Sequence, residues 1–301
     1  MRALASLLLR IIAALLVVIV LAASPLLLSP RGSTQVFTPE RATKAIGSWF
    51  VGLSDGSSFS YLIGLTKWNF FLTAPRFFLV SLAYLILPGV LGLTLGIMFG
   101  LMARGKEGGT VASLLDTLFA IPEFILALVL QMAVLVALDT FGLKLGKISY
   151  DPTSGIILLL PFLLMSFYPF AYSFRVCARK ARDAAISDFT IFARAKGLSE
   201  KTIRLRHIGA AVTPAMEAEL PSILALMQAN LFLTEYLFAL PGITKLLFTA
   251  AFPGRTPVWT EGYQYQLAVA VLLGIMLVYA VAWLAFKSAL ALARRMLTGE
   301  S

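Results

Sequence analysis

Six stretches of this sequence, residues 8–28, 77–102, 111–138, 155–174, 213–238 and 266–290, are each about 20 residues or longer and predominantly apolar. An α-helix rises about 1.5 Å per residue, so a run of that length crosses a hydrocarbon layer of roughly 30 Å. Lipid offers no partner to an open backbone, which leaves helices and closed barrels, and unbroken apolar runs are helical rather than alternating. The expected fold is therefore an all-α integral membrane protein with six transmembrane helices. Composition agrees: 59% of the residues are apolar and 13% charged, more apolar surface than a soluble domain of this size could hide. The single cysteine, Cys177, cannot form an internal disulfide.

Charge distribution orients the runs. Of 25 Lys and Arg residues, nine lie between Arg175 and Arg206, beside only Asp183, Asp188 and Glu200. With the N-terminus inside, 16 basic residues fall on the inner side and nine on the outer, as the positive-inside rule expects. Both termini are then cytoplasmic, and the net charge of +10 marks a bilayer rather than a nucleic acid as the partner. The first run is too long for a signal-peptide core and reads as an uncleaved anchor, residues 1–30. Residues 31–76 form an external loop, and residues 77–301 a five-helix core that includes a long cytoplasmic loop, 175–212. Within the external loop, Thr38-Pro39-Glu40 is a helix start. Ala42, Ala45, Ile46, Trp49, Phe50 and Leu53 recur at helical spacing, so a short amphipathic helix is expected on the outer surface.

Catalytic motifs are wanting. GLMARGKE, residues 100–107, comes one residue short of a phosphate-binding loop, because Glu107 stands where a magnesium-ligating hydroxyl belongs. His207 and Cys177 are the only residues of their kinds and form no metal cluster, so neither metal nor cofactor is expected. Asp116 and Glu123 share a helical face, yet no His, Cys or Lys nearby completes a polytopic enzyme's site.

The long cytoplasmic loop is more informative. Asp188 can cap a short helix, FTIFARAK, which Gly197 stops and Ser199 follows as the cap of a second helix. A free helix of about eight residues is marginal in water, so this one should dock on something. Ile191, Phe192, Ala195 and Leu198 offer the apolar face, with Arg194 and Lys196 beside it.

These residues carry a family resemblance. ARAKGLSEKTIRLRH, residues 193–207, resembles the cytoplasmic signature of the dipeptide/oligopeptide/nickel permease family, membrane subunits of bacterial ATP-binding-cassette importers. TEYLFALPGI, residues 234–243, resembles that family's V-E-x-x-F-x-x-P-G-[IL] stretch, and IPEFILALVL, residues 121–130, its I-P-x-F-x-L-A-L-x-L. GAAVTP at 209–214 and AFPGRTPVWTEGYQYQ at 251–266 depart from the family pattern. The resemblance implies a type I importer permease in a bacterial cytoplasmic membrane, with a coupling helix and no catalysis of its own. The implied partners are a second permease, a paralogue by the family pattern, one or two ATPase subunits and an external substrate-binding protein. Phe192, Ala193, Arg194, Ala195, Lys196, Gly197, Leu198 and Ser199 would meet the ATPase, while Glu235, Phe238, Pro241 and Gly242 would form an external gate or scaffold loop. The solute would be a peptide or a nickel or other metal chelate. A passive channel or scaffold is the other reading, and it would need no ordered coupling helix.

Two further expectations concern the membrane interior. Glu123, about 12 residues into the third run, should sit near mid-bilayer, where a charge facing lipid is costly. It either lines a translocation path with Gln131 and Gln228, or hydrogen-bonds a neighbouring helix. Likewise Gly89, Gly92 and Gly96 form either the contact face for a second permease or a local packing face.

Overall fold

The computed structural model describes residues 2–28, 37–63, 66–103, 110, 113–115, 117–118, 120–143, 149–150, 158–251 and 263–298. Residues 104–107 of the near-miss phosphate loop and most of the atypical 251–266 stretch lie outside them. Two compact units divide the chain, one of residues 1–80 and 241–278, the other of residues 81–240 and 279–301.

In the first unit, α1 (Arg2–Ala23) ends in a 3-10 turn, Ser24–Leu27, at Pro25. Leu9, Val20 and Leu21 are exposed along it, as side chains facing lipid would be. The carbonyls at its end are used: Tyr265 donates to Ile19 O at 3.0 Å, Tyr263 donates to Ala22 O, and Thr38 N–H donates to Leu27 O at 2.9 Å. Burial and the neighbouring Tyr265 push the Tyr263 phenol up to about 12, so it keeps its donor proton at any physiological pH. The short helix expected after Thr38 is α2 (Pro39–Val51), with Pro39 in the first turn and Ala42 and Trp49 buried, although the Thr38 hydroxyl makes no capping bond. An unexpected antiparallel hairpin follows, β1 (Ser60–Ile63) on β2 (Thr66–Asn69), with Ser60 opposite Asn69. The Gln264 amide continues the ladder on β1, donating to Leu62 O at 2.9 Å and accepting from Leu62 N–H at 2.7 Å, which covers that strand edge.

The expected boundaries of five runs are corrected. The second run begins at Phe70, not residue 77, as α3 (Phe70–Met102), because Asn69 Oδ1 accepts the Phe71 N–H at 2.9 Å and caps the first turn. The third run is not one helix from residue 111. Described residues among 110–118 are helical, a turn follows at 120–121, and α4 (Glu123–Phe141) starts anew after Pro122, whose fixed φ and missing N–H suit a helix boundary. The fourth run extends as α5 (Leu159–Ala185), so its last turns, from Arg175 onward, belong to a helix rather than to the loop. Cys177, Ala178, Ala181 and Ala184 are buried there. The fifth and sixth runs become α8 (Gly209–Leu237) and, after a short α9 (Ile243–Ala251), α10 (Tyr265–Thr298).

In the second unit α5 packs along α8, and α3 lies close against α5. A Cβ on Gly96 would stand 2.5 Å from the Phe170 carbonyl oxygen, and one on Gly100 2.7 Å from Cys177 Cβ. Gly92 faces Ser166 and Pro169 in the same way, and Gly89 faces Phe286 and Met227. The glycines are therefore consumed by packing within the chain, and the expectation that they form a contact face for a second permease is overturned. Cys177 Sγ, inside this contact, donates to Ile97 O at 3.3 Å.

Among the described residues, five segments are long and apolar enough to cross a membrane: Leu8–Leu27, Phe70–Met102, Glu123–Phe141, Leu159–Ala185 and Tyr265–Arg295. The sixth long helix, α8, is not among them. It carries Glu217, Glu219, Gln228, Asn230 and Glu235, with Pro214 and Pro221 inside it.

Candidate functional site: the basic connector and its neighbours

The basic segment is built almost entirely of helix. After α5, Ser187 takes the cap position and Asp188, expected to cap, is instead the first residue of α6 (Asp188–Ala195). Its carboxylate still belongs at that end, against the positive pole of the helix. The Ser187 hydroxyl turns back to Ala184 O, and Thr190 Oγ1 donates to the same carbonyl at 2.7 Å, which pins α6 to the end of α5.

At the other end, Gly197 adopts φ +75° as expected. Gly197 N–H reaches Arg194 O at 2.9 Å and Leu198 N–H reaches Ala193 O at 3.3 Å, the two bonds of a Schellman stop. Ser199 Oγ then accepts the Thr202 N–H at 3.2 Å, capping α7 (Glu200–Thr202). Helical backbone continues through a π segment, Ile203–Ile208, into α8, so residues 200–237 form one helical rod with a wider turn near its start. No residue pattern signals the π turn; such bulges cluster at functional positions.

The apolar side of α6 is bare. Phe192 is 60% exposed and Ile191 55%, with Leu198 beside them, and Ile186 at 80% and Phe189 enlarge the patch beyond the residues picked out by periodicity. Thr190 and Ala193 face inward and are buried. Arg194, expected at a partner's rim, is engaged within the chain: Nε meets Glu200 Oε1 at 2.8 Å and NH1 donates to Ala185 O at 3.2 Å, bracing the turn. Lys196 Nζ lies 4.4 Å from the centroid of the Phe192 ring, leaving a cation on the patch itself.

The membrane candidates divide. Glu123 stands in the first turn of α4 rather than 12 residues into a span, which removes the basis for placing it at mid-bilayer. It is buried, and among the described residues neither its carboxylate oxygens nor the buried Thr234 hydroxyl has a hydrogen-bond partner. Tyr168 Oη, donating to Ile121 O at 3.3 Å, closes the same corner. Gln131 donates to Leu237 O at 3.3 Å, joining α4 to the end of α8. Gln228 is half-buried on α8, and no described contact brings it to Glu123 or Gln131.

The gate candidates also divide. Glu235 is buried and accepts a hydrogen bond from Ser81, and Phe238 is wholly buried. There α8 ends in a second Schellman stop: Leu240 N–H reaches Glu235 O at 2.9 Å and Ala239 N–H reaches Tyr236 O at 3.3 Å. Its left-handed residue is Ala239, at φ +51°, where a glycine would be usual. Pro241 and Gly242 belong to the other unit, where Gly242 O accepts from Lys245 N–H in the first turn of α9.

Comparison with known proteins bears on this arrangement. Residues 92–296 match the family model described as binding-protein-dependent transport system inner membrane component. The chain is 26% identical over 196 residues to the oligopeptide transport system permease protein OppB of Escherichia coli K12, covering 64% of this chain and 59% of that one. It is 28% identical over 172 residues to the dipeptide transport system permease protein DppB of Bacillus subtilis, covering 57% and 54%. It is 27% identical over 203 residues to the metal-staphylopine import system permease protein CntB of Staphylococcus aureus Mu50, covering 65% and 61%. The alignments thus span between half and two thirds of these relatives.

Proposed function

The chain belongs to the family of binding-protein-dependent transport system inner membrane components, and from that premise we propose that it is a permease subunit of an ATP-driven importer. It supplies part of the path for a small solute, a peptide or a metal chelate, as the names of its relatives suggest. ATP hydrolysis belongs to one or two separate ATPase subunits, a second permease completes the path, and an external binding protein delivers the solute. Both termini and the basic connector face the cytoplasm, and α8 is the sixth crossing.

The observation that carries this reading is the bare apolar patch on α6, held on a doubly capped turn that continues as a single rod into α8. An eight-residue helix braced at both ends but uncovered on its apolar side is built to be covered. Phe192, Leu198 and Ile191 enter an apolar groove of the ATPase, Ala195 allows close approach, and Lys196 meets acidic residues at the rim. Arg194, Gly197 and Ser199 hold the turn, with Ala193 as its inward anchor. Glu123 is kept as a path candidate because its helix restarts at Pro122 beside a buried carboxyl, whereas Gln131 serves the contact between α4 and α8. Glu235, Phe238, Pro241 and Gly242 form the outer gate.

Burying one such side chain contributes about 1.5–3 kcal/mol, so Phe192→Asp should weaken ATPase docking about ten- to hundredfold. Gly197→Val forces a β-branched residue to positive φ and should impair coupling similarly. Both variants should insert and assemble with the second permease. Substrate-stimulated ATPase activity in reconstituted importer is the measurement, and full stimulation by Phe192→Asp would refute the assignment.

A further inference from the structure

At the end of α3 nearest the basic connector, two cavities adjoin. The first, of about 200 Å³, is lined by Leu93, Thr94, Ile97 and Met98 of α3 and by Ala289 and Ala293 of α10, among others. The second, of about 340 Å³, is lined by Leu101, Met102, Lys201, Arg204 and Leu205. Leu101 and Leu205 belong to both, so an apolar channel runs into a chamber bearing two cations.

We propose that this composite groove binds one membrane phospholipid with an anionic headgroup, its acyl chain in the channel and its phosphate against Lys201 and Arg204. The α3 lining follows one helical face over eight positions, about 12 Å of axis, which suits a segment of extended acyl chain lying along the helix. Thr94 brings the only side-chain hydroxyl, and it already donates to Val90 O at 2.7 Å, so the channel asks for no polar partner and gives water no reason to fill it. Ala289 and Ala293 keep the opposite wall low. Met102, which lines the second cavity, is exposed, as a residue facing hydrocarbon would be.

The polar chamber lies where a headgroup would. Arg204 stands on the π segment with NH1 on Leu101 O at 3.0 Å, which fixes the guanidinium at the end of α3 and at the edge of the channel. Lys201 is exposed on the turn before it. Two cations at the rim of an apolar channel complement a headgroup of net negative charge better than a zwitterionic one, whose ammonium would meet them. The proposal rests on the membrane-embedded permease reading but not on the ATPase contact, so the two can fail separately.

The test uses the full chain in its assembled importer, stripped of lipid by detergent exchange and monitored by its thermal unfolding midpoint. Saturating phosphatidylglycerol should raise the midpoint by about 5 °C. Phosphatidylcholine should give less than half of that shift, and inorganic phosphate none. Lys201→Glu should remove the preference for phosphatidylglycerol, and Ala293→Phe, by filling the channel, should reduce the response to both lipids. Native mass spectrometry should show one retained phospholipid in the wild type and none in Ala293→Phe. Equal shifts from the two lipids, a phosphate shift matching that of phosphatidylglycerol, or an unchanged response in both variants would overturn the proposal. So would a disulfide cross-link from Met98→Cys to a second membrane subunit, which would show that protein, not lipid, covers the groove.

Discussion

At the residue scale, the two Schellman stops place the same backbone demand on different side chains. Gly197 meets positive φ without cost, whereas Ala239, at φ +51°, pays with steric strain. Ala239→Gly should therefore stabilise the second unit by roughly 1 kcal/mol, readable as a higher thermal midpoint of the detergent-solubilised chain. An unchanged or lower midpoint would show that the C-terminal end of α8 does not hold this turn. Glu123 invites a paired comparison. If its carboxyl serves solute passage, Glu123→Gln and Glu123→Leu should both lose transport, at least tenfold, with normal assembly and ATPase stimulation. If it only steadies α4 against α8, the Leu variant should assemble poorly and the Gln variant should transport normally. Wild-type transport by Glu123→Leu would end the path assignment. Gly197 and Ser199 could be identified from sequence because capping chemistry is local. Ala239 could not, since nothing in an alanine announces a left-handed turn.

Among the elements, long apolar runs were legible and their ends were not. Hydropathy marks what lipid covers, while α5 continues past Phe174 on buried alanines and Cys177 packed against α3, an amphipathic pattern mixed with basic residues. The start of α3 was signalled by Asn69, a capping residue obscured by the aromatic run that follows. Strands of four residues, as in the hairpin, are too short for their period to stand out, and its edge is closed by Gln264, about 200 positions away in sequence. The π segment has no known residue signature to read. The glycine row had two readings from spacing alone, and only the contact with α5 separates them. Gly96→Val should consequently disrupt the packing of α3 on α5 within the chain, at a cost of about 1–3 kcal/mol or more. Protease resistance of the chain expressed without its partners should fall, and equal resistance to wild type would contradict the observed contact.

For the whole molecule, orientation is the claim most open to direct measurement. A cysteine introduced at Ser57 in a Cys177→Ala background should react with an impermeant reagent added outside, and one at Ser199 only after the membrane is opened. Reversed labelling would invert the proposed topology and with it the cytoplasmic place of the connector. The long helices also differ in how they could enter a bilayer during synthesis. Five segments are long and apolar enough to cross a membrane, whereas α8 carries three glutamates and two internal prolines. Glu219 accepts from the Tyr172 hydroxyl of α5 and Glu235 from Ser81 of α3, so two of its three acids find partners on helices made earlier. On the proposed topology α8 would therefore enter lipid only beside helices already there, and the insertion machinery would have to retain α3 and α5 until it emerges.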